Sequence, residues 1–227
     1  MPPTNCARRS PLAAIRSSVE VGLSKSRTPE EYAIILADVM EEITRLVALV
    51  NRLLLLAEGD AGRLGRTDQT TRFDKILRES VEMFEAVAES RGVQVRIRET
   101  APVVVPGEET HLRQVVRNLI DNAIKYNRNP GEVDVSLSMD PPRTKAILTI
   151  QDRGIGIAPD VLPRIFERFY RADKARTRES EQAGHGLGLS ICQAIIQALH
   201  GEIRVESEFG RGSTFSVILP LAPAKTS

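Results

Sequence analysis

Gln114-Val-Val-Arg-Asn118-Leu-Ile-Asp-Asn122-Ala-Ile-Lys125-Tyr126 is the stretch whose reading decides the fold. Read as part of a helix from Glu108 to Tyr126, it places Gln114, Asn118, Asn122 and Lys125 at spacings of four, four and three, which is one face. Leu112, Val115, Leu119 and Ile120 fall on the other side, toward a core. Asparagine is a weak helix former, so two on one stripe ask for a chemical reason. The neutral amide oxygen of Asn122 suits a hard cation such as magnesium, and Lys125 offers positive charge to phosphate oxygens. Taken alone, the stripe is explained as well by a solvated polar face.

Three glycine-bearing blocks follow in order. Asp152-Arg-Gly154-Ile-Gly156-Ile157 closes a strand that alternates from Lys145. A carboxylate there can accept a hydrogen bond from the exocyclic amine of adenine and repel the carbonyl of guanine. The glycines would let backbone approach the base, although Asp-x-Gly-x-Gly is also an ordinary turn. Gly184-His185-Gly186-Leu187-Gly188-Leu189 precedes a helix from Leu187 to His200, whose first N–H groups attract phosphate. It is neither a Walker loop, lacking Gly-Lys-Ser/Thr, nor a Rossmann turn, lacking a preceding strand. Gly210-Arg-Gly212-Ser-Thr214-Phe215 opens the last strand, and Phe166-Glu-Arg168-Phe169-Tyr170 lies between the second and third blocks.

Outward from these blocks, the rest of residues 67–222 reads as helices over one face of a mixed sheet, a two-layer α/β sandwich. Residues 59–66, glycine-rich and of mixed charge, read as a linker, and residues 223–227 as a tail. Before the linker, Val39, Ile43, Leu46, Val50, Leu53 and Ala57 step by four, three, four, three and four, a heptad seam. That helix opens at Thr28-Pro29-Glu30-Glu31, a capping box with proline in the first turn. Leu12, Ile15, Val19 and Leu23 give a shorter stripe on a first helix. Residues 1–58 are therefore a helical hairpin. A lone hairpin of this kind buries half its apolar surface, so a homodimeric four-helix bundle is expected, the alternative being a hairpin folded onto the rest of the chain. The fold class is α+β.

Composition excludes more than it assigns. A net charge of +1 and 4% aromatic residues give no ground for nucleic-acid binding. Cys6 and Cys192 lie far apart without metal-ligand spacing, which favours a reducing, cytoplasmic setting. The most apolar run, Leu46 to Ala57, contains Asn51 and Arg52 and is far shorter than the roughly twenty residues of a membrane span.

In order and content, the blocks resemble the N, G1, F, G2 and G3 boxes of bacterial sensor histidine kinases, and with the hairpin the resemblance covers nearly the whole chain. It implies a GHKL-type (Bergerat) ATP-binding domain with ATP and Mg2+ as cofactors. The implied ATP contacts are Asn118, Asn122, Lys125, Tyr126, Asp152, Gly154, Gly156, Ile157, Tyr170, Arg171, Gly184, His185, Gly186, Leu187, Gly188, Leu189 and Thr214, with Asn122 on the metal. It also implies a lid rich in Arg171, Lys174, Arg176 and Arg178, with Phe166, Phe169 and Tyr170 at its base. A response-regulator receiver domain would be the partner, and a full-length relative would carry a membrane-anchored sensor. The ATP-hydrolysing machines of this fold place a water-activating glutamate where Asn118 stands, and a neutral amide is no general base. Anti-sigma-type serine kinases have the boxes without the hairpin, and a non-catalytic ATP-binding dimer is the remaining alternative.

One family element departs from the pattern. Members open the first hairpin helix with a box like Ser-His-Glu-Leu-Arg-Thr-Pro-Leu. Alignment on Pro11 here puts Cys6 at the phosphoacceptor histidine and Ala7 at its acidic neighbour. Neither side chain can take over the chemistry, so the chain as written is expected not to phosphorylate itself. His111, His185 and His200 all lie outside the hairpin. Codons can be chosen for Met1 to Ser10 that, in another frame and with one added upstream base, spell Asp-Ala-Ser-His-Glu-Leu-Arg-Thr-Pro-Leu. A frameshift, with Met1 as an internal start, is the expected origin of the departure.

Overall fold

The computed structural model describes residues 11–65, 68–171 and 186–223. The chain divides into two compact units, Met1–Leu54 and Leu55–Ser227.

The first unit is a hairpin of α1 (Pro11–Leu23) and the greater part of α2 (Pro29–Asp60). The start of α2 is built as its sequence predicts. Thr28 Oγ1 accepts from the Glu31 N–H (3.2 Å) and Glu31 Oε2 accepts from the Thr28 N–H (3.0 Å), so two donors at the helix start are satisfied reciprocally. Gly22 lies against Ile35 where the two helices are closest in sequence.

In the second unit, a five-stranded sheet runs in the order β2-β4-β5-β7-β6 (β2 Val93–Thr100, β4 Gly131–Met139, β5 Lys145–Asp152, β6 Glu202–Glu208, β7 Gly212–Pro220). Only β2 and β4 pair in parallel. The helices α3 (Phe73–Ser90), α4 (Glu109–Lys125) and α5 (Gly188–Ala198) pack against this sheet. Strict alternation places Val133, Val135, Leu137, Ala146, Leu148, Ile150, Phe215, Val217 and Leu219 in the core beneath them. From the helices come Leu77, Leu112, Leu119, Ile120, Ile191 and Ile195. This is the expected two-layer sandwich. A small second sheet, β1 (Thr70–Arg72) with β3 (Val104–Pro106), was not foreseen at β1, which is too short to show a period.

The expected linker is not a loose tether. Helix α2 continues to Asp60, and Leu56 and Leu64 are buried. A Cβ on Gly65 would come within 2.2 Å of the Ala198 carbonyl oxygen. Composition hides this because Gly59 and Gly65 serve close packing, and only Gly62, at φ +62°, faces open space. The β4–β5 connection, which lacks a tight-turn dipeptide, is organised by Asp140. Its carboxylate accepts from the Thr144 N–H (2.7 Å), the Thr144 hydroxyl (2.9 Å) and the Lys145 N–H (2.7 Å).

Candidate functional site

Three elements carry the candidate site: the polar face of α4, the loop after β5 and the start of α5. Apolar positions of α4 dock on the sheet, which leaves Asn118, Asn122 and Lys125 partly exposed on one stripe. Asn118 Nδ2 donates to the Gly188 carbonyl (3.2 Å), so the amide joins α4 to the first turn of α5. The loop after β5 is tied to the end of α4, where the Ile155 N–H donates to the Tyr126 carbonyl (3.1 Å). Gly154 is obligatory for that approach, since a Cβ there would lie 2.1 Å from the same oxygen. Gly156, at φ +65°, lies as close to the Glu208 carbonyl. Protein backbone alone therefore already requires these two glycines.

Asp152 is the buried acid of the site. Its Oδ1 accepts from the Gly154 N–H (2.8 Å) and the Ser213 N–H (3.3 Å), which leaves Oδ2 for a ligand donor. Burial pushes this carboxyl above its ordinary value, and the two N–H bonds oppose the rise. Lys125 is half-buried beside Tyr126, its ammonium 5.3 Å from the ring centre. Desolvation pulls it below the ordinary lysine value, with Asp121 opposing and Arg171 and Arg91 adding to the fall. A half-buried ammonium with Arg171 and Arg91 near it is a place where an anion such as phosphate would be favourable.

Other expected residues distribute unevenly. Tyr170 stacks beneath the Arg164 guanidinium at 4.2 Å, and the Phe169 N–H donates to the Gly186 carbonyl (2.9 Å). Phe169 itself is 58% exposed at φ +62° and does not anchor the segment through core packing. Leu187 is fully buried, so its side chain holds the loop to the core instead of meeting a ligand. Thr214 is a misassignment by one residue. Strand alternation turns it to the face away from the helices, in register with Gln151 and Glu206, whereas Ser213 pairs with Asp152 and is buried. Cys6, Ala7, Gly184, His185, Lys174, Arg176 and Arg178 lie outside the described residues.

Cys192 is a support that sequence reasoning missed. It is fully buried, donates to the Val115 carbonyl (3.8 Å) and lies beside the Asn118 side chain. Burial pushes its thiol up to about 12. It packs behind the asparagine face as a neutral thiol, and a lone cysteine in an apolar helix gives no sequence sign of this.

Comparison with known proteins gives the same assignment. Residues 107–223 match the histidine kinase-, DNA gyrase B- and HSP90-like ATPases, and residues 9–62 match the His Kinase A (phospho-acceptor) domain. The chain belongs to that ATPase family, and a phospho-acceptor hairpin ahead of the ATPase domain is the arrangement of a sensor histidine kinase. The hairpin match shows that the phospho-acceptor domain is present over residues 9–62, and so does not support the expectation that its H box is lost.

The chain is 34% identical over 212 residues to the sensor histidine kinase CusS of Escherichia coli O6:H1, covering 93% of this chain and 43% of that protein. With the sensor protein SrrB of Staphylococcus aureus the identity is 38% over 192 residues, covering 85% and 32%. The chain thus spans less than half the length of these curated relatives. Among solved structures, full-length ShkA in complex with AMPPNP aligns at a TM-score of 0.72 and 26% identity, over 95% of this chain and 44% of that one. The mycobacterial sensor histidine kinase MprB aligns at 0.59 and 27%, over 69% and 99%. Among the described residues no helix is long and apolar enough to cross a membrane.

Proposed function

We propose that the second unit binds Mg-ATP between the α4 face, the loop Asp152–Ile157 and the start of α5. The chain would then be the kinase portion of a sensor histidine kinase. Such a kinase passes the γ-phosphoryl of ATP to a histidine and thence to an aspartate of a response-regulator receiver domain. The observation that carries this reading is convergence. Asn118 bonds Gly188, Ile155 bonds Tyr126, and Asp152 stands buried at the end of β5 with one oxygen left for a ligand. Residues far apart in sequence share one place, and the relative ShkA was solved with AMPPNP.

Each group has a part to play. Asp152 Oδ2 would accept from the adenine amine, and Lys125 and Arg171 would meet phosphate oxygens, whose negative charge would offset the desolvation that lowers Lys125. Magnesium fits the donor set, because it is usually held by one or two protein oxygens together with phosphates and water, and Asn122 supplies a neutral oxygen on the same face. When bound, it supplies charge neutralisation at the phosphates. Asn118 is committed to Gly188 and carries no basic group, which disfavours water activation and hence simple hydrolysis.

The hairpin is proposed to form a homodimeric four-helix bundle. The chain of 227 residues is further proposed not to label itself. Its three histidines are His111, His185 and His200, and Pro11 aligns Cys6 and Ala7 with the acceptor and its acidic neighbour. The same observation supports, as a second reading, an ATP-binding dimer that modulates an intact kinase.

Calorimetric titration of the chain with Mg-ATP, followed by incubation with γ-labelled ATP, tests both statements. Binding without acid-labile, alkali-stable label is expected. Replacing Met1 to Leu12 by a helix carrying Asp-Ala-Ser-His-Glu-Leu-Arg-Thr-Pro-Leu should restore label. Lack of binding would overturn the site, and label on the unaltered chain would overturn the reading of Cys6. Genomic sequence across Met1–Leu12 decides the frameshift.

A further inference from the structure

Ser207 belongs to none of the motif blocks, yet its hydroxyl has three hydrogen-bond partners, more than any other side-chain hydroxyl among the described residues of the second unit. It lies near the end of β6, half-buried, and accepts from the Ile157 N–H at 2.8 Å. It donates to the Gly212 carbonyl at 3.0 Å and lies 3.0 Å from the Ser213 hydroxyl. A hydroxyl has one proton and two lone pairs. With the proton on Gly212, the lone pairs receive Ile157 N–H and Ser213 O–H, so the group is saturated and Ser213 must be the donor in the last contact.

The segments it joins are the two that hold Asp152. Gly154, on the loop ending at Ile157, and Ser213, at the start of β7, both donate their N–H to Asp152 Oδ1. Two other bonds link this neighbourhood, Gly210 N–H to the Ile155 carbonyl (2.8 Å) and Arg128 to the Gly210 carbonyl. Both hold the hairpin turn, away from the carboxylate. Ser207 acts at the level of Ser213, its direct partner in the β6–β7 register.

We propose that Ser207 is a positioning residue for nucleotide-base selection. By clamping loop 154–157 to the β6–β7 hairpin, it fixes the aim of Asp152 Oδ2 at the base. The proposal rests on the Mg-ATP reading given above and extends it to a residue outside the motif blocks. Loss of the hydroxyl leaves the Ile157 N–H, the Gly212 carbonyl and the Ser213 hydroxyl each short of a partner, so the loop stays tied to the hairpin only at its turn, through Gly210 and Ile155, and the carboxylate is held less tightly in its orientation. The phosphate-facing groups, on α4 and α5, are untouched.

The test is titration of the full chain and of S207A, S207T and S207C with Mg-ATP, Mg-GTP and Mg-tripolyphosphate, each variant checked by thermal melting. For S207A, ATP affinity should fall roughly five- to tenfold, about the worth of one or two hydrogen bonds. Tripolyphosphate affinity should hold, so the ATP-over-GTP ratio collapses toward one. S207T, which keeps the hydroxyl on a residue suited to strands, should restore the ratio. If S207A does not fold, S207C keeps the volume with a weak hydrogen-bonding group and should show the same collapse. Equal losses for ATP and tripolyphosphate, or an unchanged ratio, would overturn the proposal and leave Ser207 a purely structural residue. A wild-type chain that fails to bind Mg-ATP would instead bring down the function on which it rests.

Discussion

The two units of this chain solve the burial problem in opposite ways. In the sandwich, the apolar faces of α3, α4 and α5 and the alternating residues of β4, β5 and β7 cover one another almost completely. In the hairpin, Ile34, Leu36, Met40, Val47 and Leu54 remain well exposed along α2, although the helix is 32 residues long and well capped. The charges follow the same division. Hairpin ion pairs such as Arg16–Glu20 and Arg45–Glu41 are exposed pairs one turn apart, worth little. The sandwich instead holds desolvated groups, Asp152 and Lys125. The first unit leaves apolar surface for the proposed second chain to cover, whereas the second closes its own core around the candidate site.

The largest expected effect breaks the comparison on the hairpin side. Val47 and Leu54 lie seven residues apart on one stripe, 53% and 57% exposed. Fully burying such a side chain is worth about 1.5–3 kcal/mol, and a twofold assembly counts each position twice. Changing both to Glu should abolish the dimer in light scattering at micromolar concentration while leaving Mg-ATP affinity within about twofold, since the sandwich is closed without that face. A monomeric wild-type chain, or loss of nucleotide binding together with the dimer, would contradict the division.

A smaller effect tests the sandwich side through Asp152. Its folded value is raised, so the stability associated with its protonated form is present below its ordinary value of 3.8 and lost as pH rises through the higher folded value. At neutral pH the buried carboxylate therefore costs stability. Asp152→Asn should raise the melting temperature of the nucleotide-free protein at pH 7, with the gain vanishing on acidification below about 4. The same change should weaken ATP binding by roughly tenfold to a hundredfold. The reason is geometric: the amide oxygen must serve the Gly154 and Ser213 N–H groups, which turns the NH2 group toward the adenine amine. Stability gained together with affinity lost marks a functional group; loss of both would mark a structural one.

The division also shows what a sequence can carry. The sandwich was legible because its strands alternate and its boxes keep their order, and the α4 stripe survives in the structure residue for residue. The capping box at Thr28 was legible because it is local. What was missed depends on contacts between distant segments. Cys192 supports Asn118 from another helix, and Leu64 and Gly65 pack a stretch that composition marks as loose. Thr214 was chosen over Ser213 because a block quoted as a string hides strand parity, and parity decides which residue stands beside Asp152. Ser207 has no local signature, because its partners lie at Ile157, Gly212 and Ser213.

The smallest expected effect sharpens the electrostatic half of the comparison. Lys125 is pulled below its ordinary value of 10.5 first by burial and then by Arg171 and Arg91. For a base the consequence is that stability rises as pH climbs through the lowered value, because the folded state disfavours the proton that the unfolded chain still holds. A bound triphosphate adds negative charge beside the ammonium, offsets the desolvation and lifts its value again. Between the lowered and the ordinary value, ATP binding must therefore take up a fraction of a proton per site. Calorimetric titrations in two alkaline buffers of different ionisation enthalpy should reveal that uptake, and it should shrink as pH falls below the lowered value. Lys125→Met should weaken binding and remove the buffer dependence. The Val47 and Leu54 double variant should keep it unchanged, because both substitutions lie in the other unit. Uptake that persists in Lys125→Met would assign the desolvated cation to another group of the site and leave Lys125 only a long-range partner of the phosphates.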